Sequence, residues 1–155
     1  MGQVLVRAFR AGDEAAFKAL NVEWIQHFFA LEPKDIEALD NPERILADGA
    51  IAMAELDGVV VGTCALIKRP EPGVWEIAKM GVSTQLRGGG IGSAIMAYLV
   101  DLAPSLGAER LYIETNSALG PAIRVYEKFG FRHLGDGEHP VTPYKRADVF
   151  MEKVF

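Results

Sequence analysis

WEIAKMGVSTQLRGGGIGSAIM, residues 75–96, carries a strand pattern straight into a glycine-rich turn that opens a helix. Val74 to Val82 is rich in β-branched and aromatic residues. It alternates Glu76, Ala78 and Met80 on one face with Trp75, Ile77 and Lys79 on the other. The turn then holds Arg87, Gly88, Gly89, Gly90 and Gly92. From Ile91 the apolar period becomes helical, with Ile91, Ile95, Leu99 and Leu102 along one stripe until Pro104 ends the run. Unpaired amides at a helix start lie at the positive end of the helix dipole, so such a turn suits a phosphate or pyrophosphate. A tight turn with a purely structural role is the competing reading.

The turn lacks a GK[ST] sequence after its glycines, which argues against a P-loop. No frame gives GxGxxG followed by an acidic ribose ligand at dinucleotide spacing. What remains is RxxGxG, at Arg87, Gly90 and Gly92. A second segment, RLYIETNSALGPAIRVYEKFG at residues 110–130, reads as strand, polar loop and short helix, with Pro121 near the helix start and Gly130 just past its end. In it Asn116 follows the strand, and Tyr126 stands on the helix just before Gly130-Phe131. The two segments, in this order, resemble the two signatures of the GCN5-related N-acetyltransferase superfamily, and the resemblance extends over nearly the whole chain as a pattern of elements.

That resemblance implies transfer of an acetyl group from acetyl-CoA to a primary amine by direct attack, without a metal. It implies a cofactor site made of Met80, Gly81, Val82, Arg87, Gly88, Gly89, Gly90, Gly92, Ser93, Asn116 and Tyr126. A bulge around Gly81 is expected to splay the strand and free its amides for the thioester, although Gly81 could instead mark a close-packing position. Tyr126, protonated at neutral pH, is the candidate acid for the departing CoA sulfur. Glu76, eleven residues before Arg87, is the candidate base, with retention of a cationic substrate as its alternative. Asn116 would bind the pantetheine arm, orient the loop or cap a turn. The acceptor pocket is expected to draw on Trp24, Phe28, Phe29, Glu32, Tyr144 and Arg146, with Arg146 and Tyr144 suited to a carboxylate and hence to an amino-acid-like amine. His139 is the histidine to test near substrate. A non-catalytic acyl-CoA sensor, a longer acyl group and a protein amine remain alternatives.

Composition agrees with one compact enzyme domain over residues 1–155. The chain is 50% apolar and 24% charged, which excludes a disordered class. Its net charge of −5 argues against nucleic acid as the main partner. The single cysteine, Cys64, lies in the apolar run Val59 to Ile67, so it is expected to be packed rather than nucleophilic. No signal peptide or membrane-length apolar run is seen, which makes the cytoplasm the expected compartment. A homodimer stays open.

The expected element order begins with a strand at Val4 to Arg7 and a helix from Asp13 to Phe29 with the stripe Phe17, Leu20, Trp24 and Phe28. A short helical segment follows, bracketed by Pro33 and Pro42. Strands Ile51 to Leu56 and Val59 to Ile67 are joined by the hairpin dipeptide Asp57-Gly58. After the central strand and helix come the strand Arg110 to Thr115, the helix Gly120 to Phe129, and strands at Phe131 to Leu134 and Asp148 to Val154. The fold class is therefore α/β of the α+β type, with a mixed, mainly antiparallel sheet flanked by helices. The long connection Gly135 to Arg146 reads as a functional flap.

Overall fold

The computed structural model describes residues 3–86 and 89–155. Arg87 and Gly88 of the expected cofactor turn lie outside the described residues. Seven strands are described: β1 (Val4–Ala8), β2 (Ala50–Leu56), β3 (Val59–Lys68), β4 (Val74–Val82), β5 (Arg110–Thr115), β6 (Arg132–His133) and β7 (Val149–Val154). They form one sheet in the order β1-β2-β3-β4-β5-β7-β6. Only β4 and β5 run parallel. The β2–β3 hairpin turns at Asp57 and Gly58, both with positive φ (53° and 80°), as a two-residue turn matched to strand twist requires.

Among the described residues five α-helices flank the sheet: α1 (Glu14–Phe28), α2 (Pro33–Leu39), α3 (Pro42–Leu46), α4 (Ile91–Leu102) and α5 (Gly120–Lys128). Where sequence suggests one short segment between Pro33 and Pro42, there are two helices, each with a proline in its first turn. A missing N–H costs nothing there, so Pro42 starts a helix instead of merely closing one. β2 shows how the layers form, since it is buried on both faces. Ile51 and Met53 pack with Phe17, Leu39 and Ile45 under α1 to α3. Ala52 and Ala54 pack with Ile91, Ile95 and Leu99 under α4. Small residues let α4 lie close: a Cβ on Gly62 would stand 2.9 Å from Ile91 Cγ2.

Two irregularities of β4 create the site. Thr63 pairs with Gly81 and Ala65 with Ala78, so Lys79 and Met80 together oppose Cys64. The bulge thus falls at Lys79–Met80, two to one residues before the expected Gly81, and Lys79 adopts a positive φ of 56°. An extra residue breaks the strict alternation that would group Lys79 with Trp75 and Ile77. Those two pack into the core, Ile77 also backing the wall of a cleft, whereas Lys79 turns its charged end to the polar groups of that cleft, Tyr144 and Asp35. The second irregularity is a parting of strands. β4 pairs with β5 only at Val74–Arg110, Trp75–Leu111 and Glu76–Tyr112, after which the two diverge.

Gly81 itself serves close packing. A Cβ there would lie 2.8 Å from the carbonyl carbon and oxygen of Leu20 and 2.9 Å from the amide of Asn21, so the α1 backbone rests directly on β4. Neither backbone can yield as a flexible side chain would. Gly81→Ala is expected to lower the unfolding free energy by about 1–3 kcal/mol, measured by urea denaturation. A variant as stable as the wild type would show that α1 does not constrain the bulge.

Candidate active site

The parted strands enclose a cleft of about 440 Å³, within the size range of small-molecule sites. Its apolar walls include Ile77, Met80 and Val82 from β4, Ile113 from β5, and Ala122 and Val125 from α5. One end opens on the start of α4, where Gly90, Ile91, Gly92 and Ser93 line the cleft. Gly90 is left-handed (φ 79°), which turns the chain into the helix, and no atom lies within 4 Å of a Cβ built on Gly90 or Gly92. The amides of this twelve-residue helix start are therefore open to an anion. Glu23 of α1 holds the preceding turn: its Oε1 accepts from Thr84 N at 3.0 Å and Thr84 Oγ1 at 2.6 Å.

Tyr126 lines the same cleft while its ring packs 6.3 Å from that of Phe131. Burial pushes the phenol above its ordinary pKa, so it is protonated at neutral pH. Asn116 donates to the Arg146 carbonyl at 2.6 Å and accepts from Ala118 N at 2.7 Å. It thus ties the end of β5 to the connection before β7 and caps a turn, while also lining the cleft. Cys64 is fully buried, and desolvation raises its thiol pKa well above normal, which fits packing.

The opposite end is polar. Arg69 Nη1 donates to Glu76 Oε1 at 2.9 Å. Burial pushes the Glu76 pKa above its ordinary value, the Glu114 carboxylate pushes it further, and Arg69 offsets this only in part. Glu114 in turn accepts from Tyr112 Oη at 2.9 Å and from Thr142 Oγ1 at 2.7 Å. Lys79 donates to Tyr144 Oη and lies 3.5 Å from Asp35 Oδ1. Arg146 grips Asp35 through both terminal nitrogens, at 2.7 and 2.6 Å, and reaches Glu32 at 3.2 Å. Asp35 is completely buried. Burial alone would raise its pKa, but Arg146, the Glu32 amide and Lys79 outweigh that and the net shift is downward.

Of the residues singled out from sequence, the cleft brings together Glu76, Met80, Val82, Gly90, Gly92, Ser93, Asn116, Tyr126, Trp24, Phe29, Tyr144 and Arg146. Gly81 sits behind the wall, under α1. Gly89 is not among the cleft residues. Phe28 stacks beside Trp24, with ring centroids 4.8 Å apart, and does not reach the cleft. Glu32 acts through Arg146, and His139 lies flat on Phe150 at 3.5 Å, away from the cleft. Asp35 and Glu114 are absent from the sequence reading, and Lys79 enters it only as a residue of the strand face shared with Trp75 and Ile77, not as a site residue. Glu114 was within reach of it, two residues before Asn116 on the same strand face. Lys79 was hidden by the bulge, and Asp35 by a pairing partner 111 residues away.

Residues 14–131 match the model of the Acetyltransferase (GNAT) family. The IAA acetyltransferase of Azospirillum brasilense is 32% identical over 121 residues, covering 77% of this chain and 73% of that protein. The N-acetylaspartate synthetase of Rattus norvegicus is 33% identical over 91 residues, 59% of this chain. The chain thus spans only 30% of the length of that synthetase. The solved phosphinothricin acetyltransferase of Sinorhizobium meliloti, in complex with acetyl-CoA, superposes with a TM-score of 0.78 at 18% identity, over 97% of this chain and 88% of that one, a likeness of fold. No helix among the described residues is long and apolar enough to cross a membrane. With most of its length matched by the family model, and with the parted strands and open helix start in place, the chain belongs to the GNAT acetyltransferase family.

Proposed function

We propose that the protein transfers the acetyl group of acetyl-CoA to the primary amine of a small molecule. The observation that carries this reading is the parting of β4 from β5 beside the open start of α4. A pyrophosphate would take the amides of residues 90–93 at the start of α4. The pantetheine arm would run along β4 beyond Glu76, where the strand has lost its β5 partner and its outward backbone groups need one. Met80 and Val82 would flank the thioester.

In the reaction so proposed, Glu76 takes the proton of the acceptor ammonium, directly or through water, and the freed amine attacks the thioester carbonyl. Backbone amides at the bulge stabilise the tetrahedral oxyanion. As the C–S bond breaks, the Tyr126 hydroxyl gives its proton to the sulfur, and the extra proton on the attacking nitrogen passes through water to the phenolate, leaving a neutral amide, the CoA thiol and Tyr126 as it began. Cleft walls of Ile77, Val82 and Val125 exclude water and so protect the thioester from hydrolysis. Raised basicity suits Glu76 to this role, because its conjugate acid lies nearer the working pH than that of an exposed carboxylate. The acidic pair Glu76 and Glu114 also favours a cationic amine.

Purified protein, acetyl-CoA and a panel of amines, with detection of free thiol, test this directly. Thiol release in step with acetylation of an amine supports the reading, and acetyl-CoA binding without turnover on any amine contradicts it. Tyr126→Phe deletes one hydroxyl and keeps the ring, so kcat should fall by about ten- to a hundredfold or more with the melting temperature little changed. Equal single-turnover rates would remove Tyr126 from acid catalysis. Glu76 must be ionised to act, so wild-type kcat/KM should decline as pH falls through a pKa above the ordinary carboxylate value. Glu76→Gln should slow the chemical step and lose that decline. A variant with the wild-type rate and pH profile would assign the base role elsewhere.

A further inference from the structure

We propose that Lys79, together with Tyr144, binds a carboxylate on the acceptor, so that the substrates are amino acids or similar small carboxylated amines. This deepens the acetyltransferase reading and rests on it. Residue types alone favour Arg146, whose planar fork matches a carboxylate. In the structure that fork is filled. Asp35, fully buried, accepts from both terminal nitrogens at 2.6 and 2.7 Å, and Glu32 adds a third contact at 3.2 Å. A substrate carboxylate at Arg146 would have to displace a buried carboxylate, leaving it uncompensated.

Lys79 is the cation with capacity to spare; burial pulls its pKa below the ordinary lysine value, an effect that Asp35 and Glu76 oppose only in part and that an incoming carboxylate would oppose further. Its ammonium has three donors. One goes to Tyr144 Oη, and the approach to Asp35, at 3.5 Å, is longer than a charge-assisted hydrogen bond. Because Lys79 can only donate, the Tyr144 oxygen is the acceptor of that bond, and its own O–H proton is left for a ligand oxygen. Ammonium and phenol thus present two donors at one point of the cleft that both residues line. The Tyr144 ring lies under both cations, 4.4 Å from Lys79 Nζ and 4.8 Å from Arg146 Cζ, and so fixes where the pair stands. The backbone agrees: Lys79 holds a left-handed φ of 56°, uncommon outside glycine, and lines the cleft only because of the bulge.

Charge is also distributed to suit a zwitterion. Asp35 and Glu32 neutralise Arg146, and Lys79, which shares Asp35, also lies within electrostatic range of Glu76, whose own neighbour is the Glu114 carboxylate. An acceptor ammonium at Glu76 and a carboxylate at Lys79 would fit one small molecule whose two charges are a few bonds apart.

The test compares matched acceptors: amino acids, their carboxamides and their decarboxylated amines, each assayed for kcat/KM with saturating acetyl-CoA. The wild type should favour the carboxylated member by about tenfold or more, mainly through KM. Lys79→Met should collapse that ratio, Lys79→Arg should keep part of it, and Tyr144→Phe should reduce it. Acetyl-CoA affinity and melting temperature verify that each variant is folded. A wild type with no preference for the carboxylate, or a folded Lys79→Met that keeps the wild-type ratio, overturns the inference and leaves the acetyltransferase reading intact. Failure of the wild type to acetylate any amine overturns that reading and this one together.

Discussion

A β-strand that loses its neighbour must place its backbone groups somewhere, and the molecule is organised around that requirement. β4 is bonded to β3 along its length but to β5 for only three residue pairs, after which the sheet opens. Two features enforce the opening. The bulge at Lys79–Met80 bends β4, and α1 presses its backbone onto Gly81 so closely that no side chain fits between. The helix that follows begins beside the opened strand, so an extended acyl carrier could find backbone partners along β4 and a dipole end for its phosphates at α4.

The polar end of the cleft depends on elements remote in sequence. The connection between β6 and β7 is held over the cleft by Thr142 on Glu114, Tyr144 on Lys79 and Arg146 on Asp35, with Asn116 fixing the Arg146 carbonyl. Asp35 anchors this arrangement: it sits in the first turn of α2, accepts from the Glu32 amide at 2.8 Å, and joins two cations that would otherwise repel each other. These contacts explain how a segment without helix or strand can present side chains in fixed positions. The family match stops at Phe131, so Tyr144 and Arg146 lie outside it.

Much of the fold, and the glycine-rich helix start that lines the cleft, was legible from sequence because both rest on local signals. Periodicity located the strands, Asp57-Gly58 the hairpin, and the glycines from Gly89 to Gly92 the helix start. Tyr126 was found because a short motif carries its position. Long-range electrostatics were not legible. Nothing near Arg146 in the chain reveals that Asp35 will occupy its guanidinium. Lys79 was assigned to the wrong face because the bulge expected around Gly81 falls at Lys79–Met80, and it shifts the side-chain directions from that point on.

Amide hydrogen exchange on the intact protein, with and without acetyl-CoA, is the most direct test of the claim that the opened edge of β4 and the start of α4 form one acyl-carrier site. Peptides covering residues 77–82 and 89–93 should become protected together when acetyl-CoA is added, while the hairpin of β2 and β3 is unchanged. Protection confined elsewhere, or none at either segment under saturating ligand, would contradict the account.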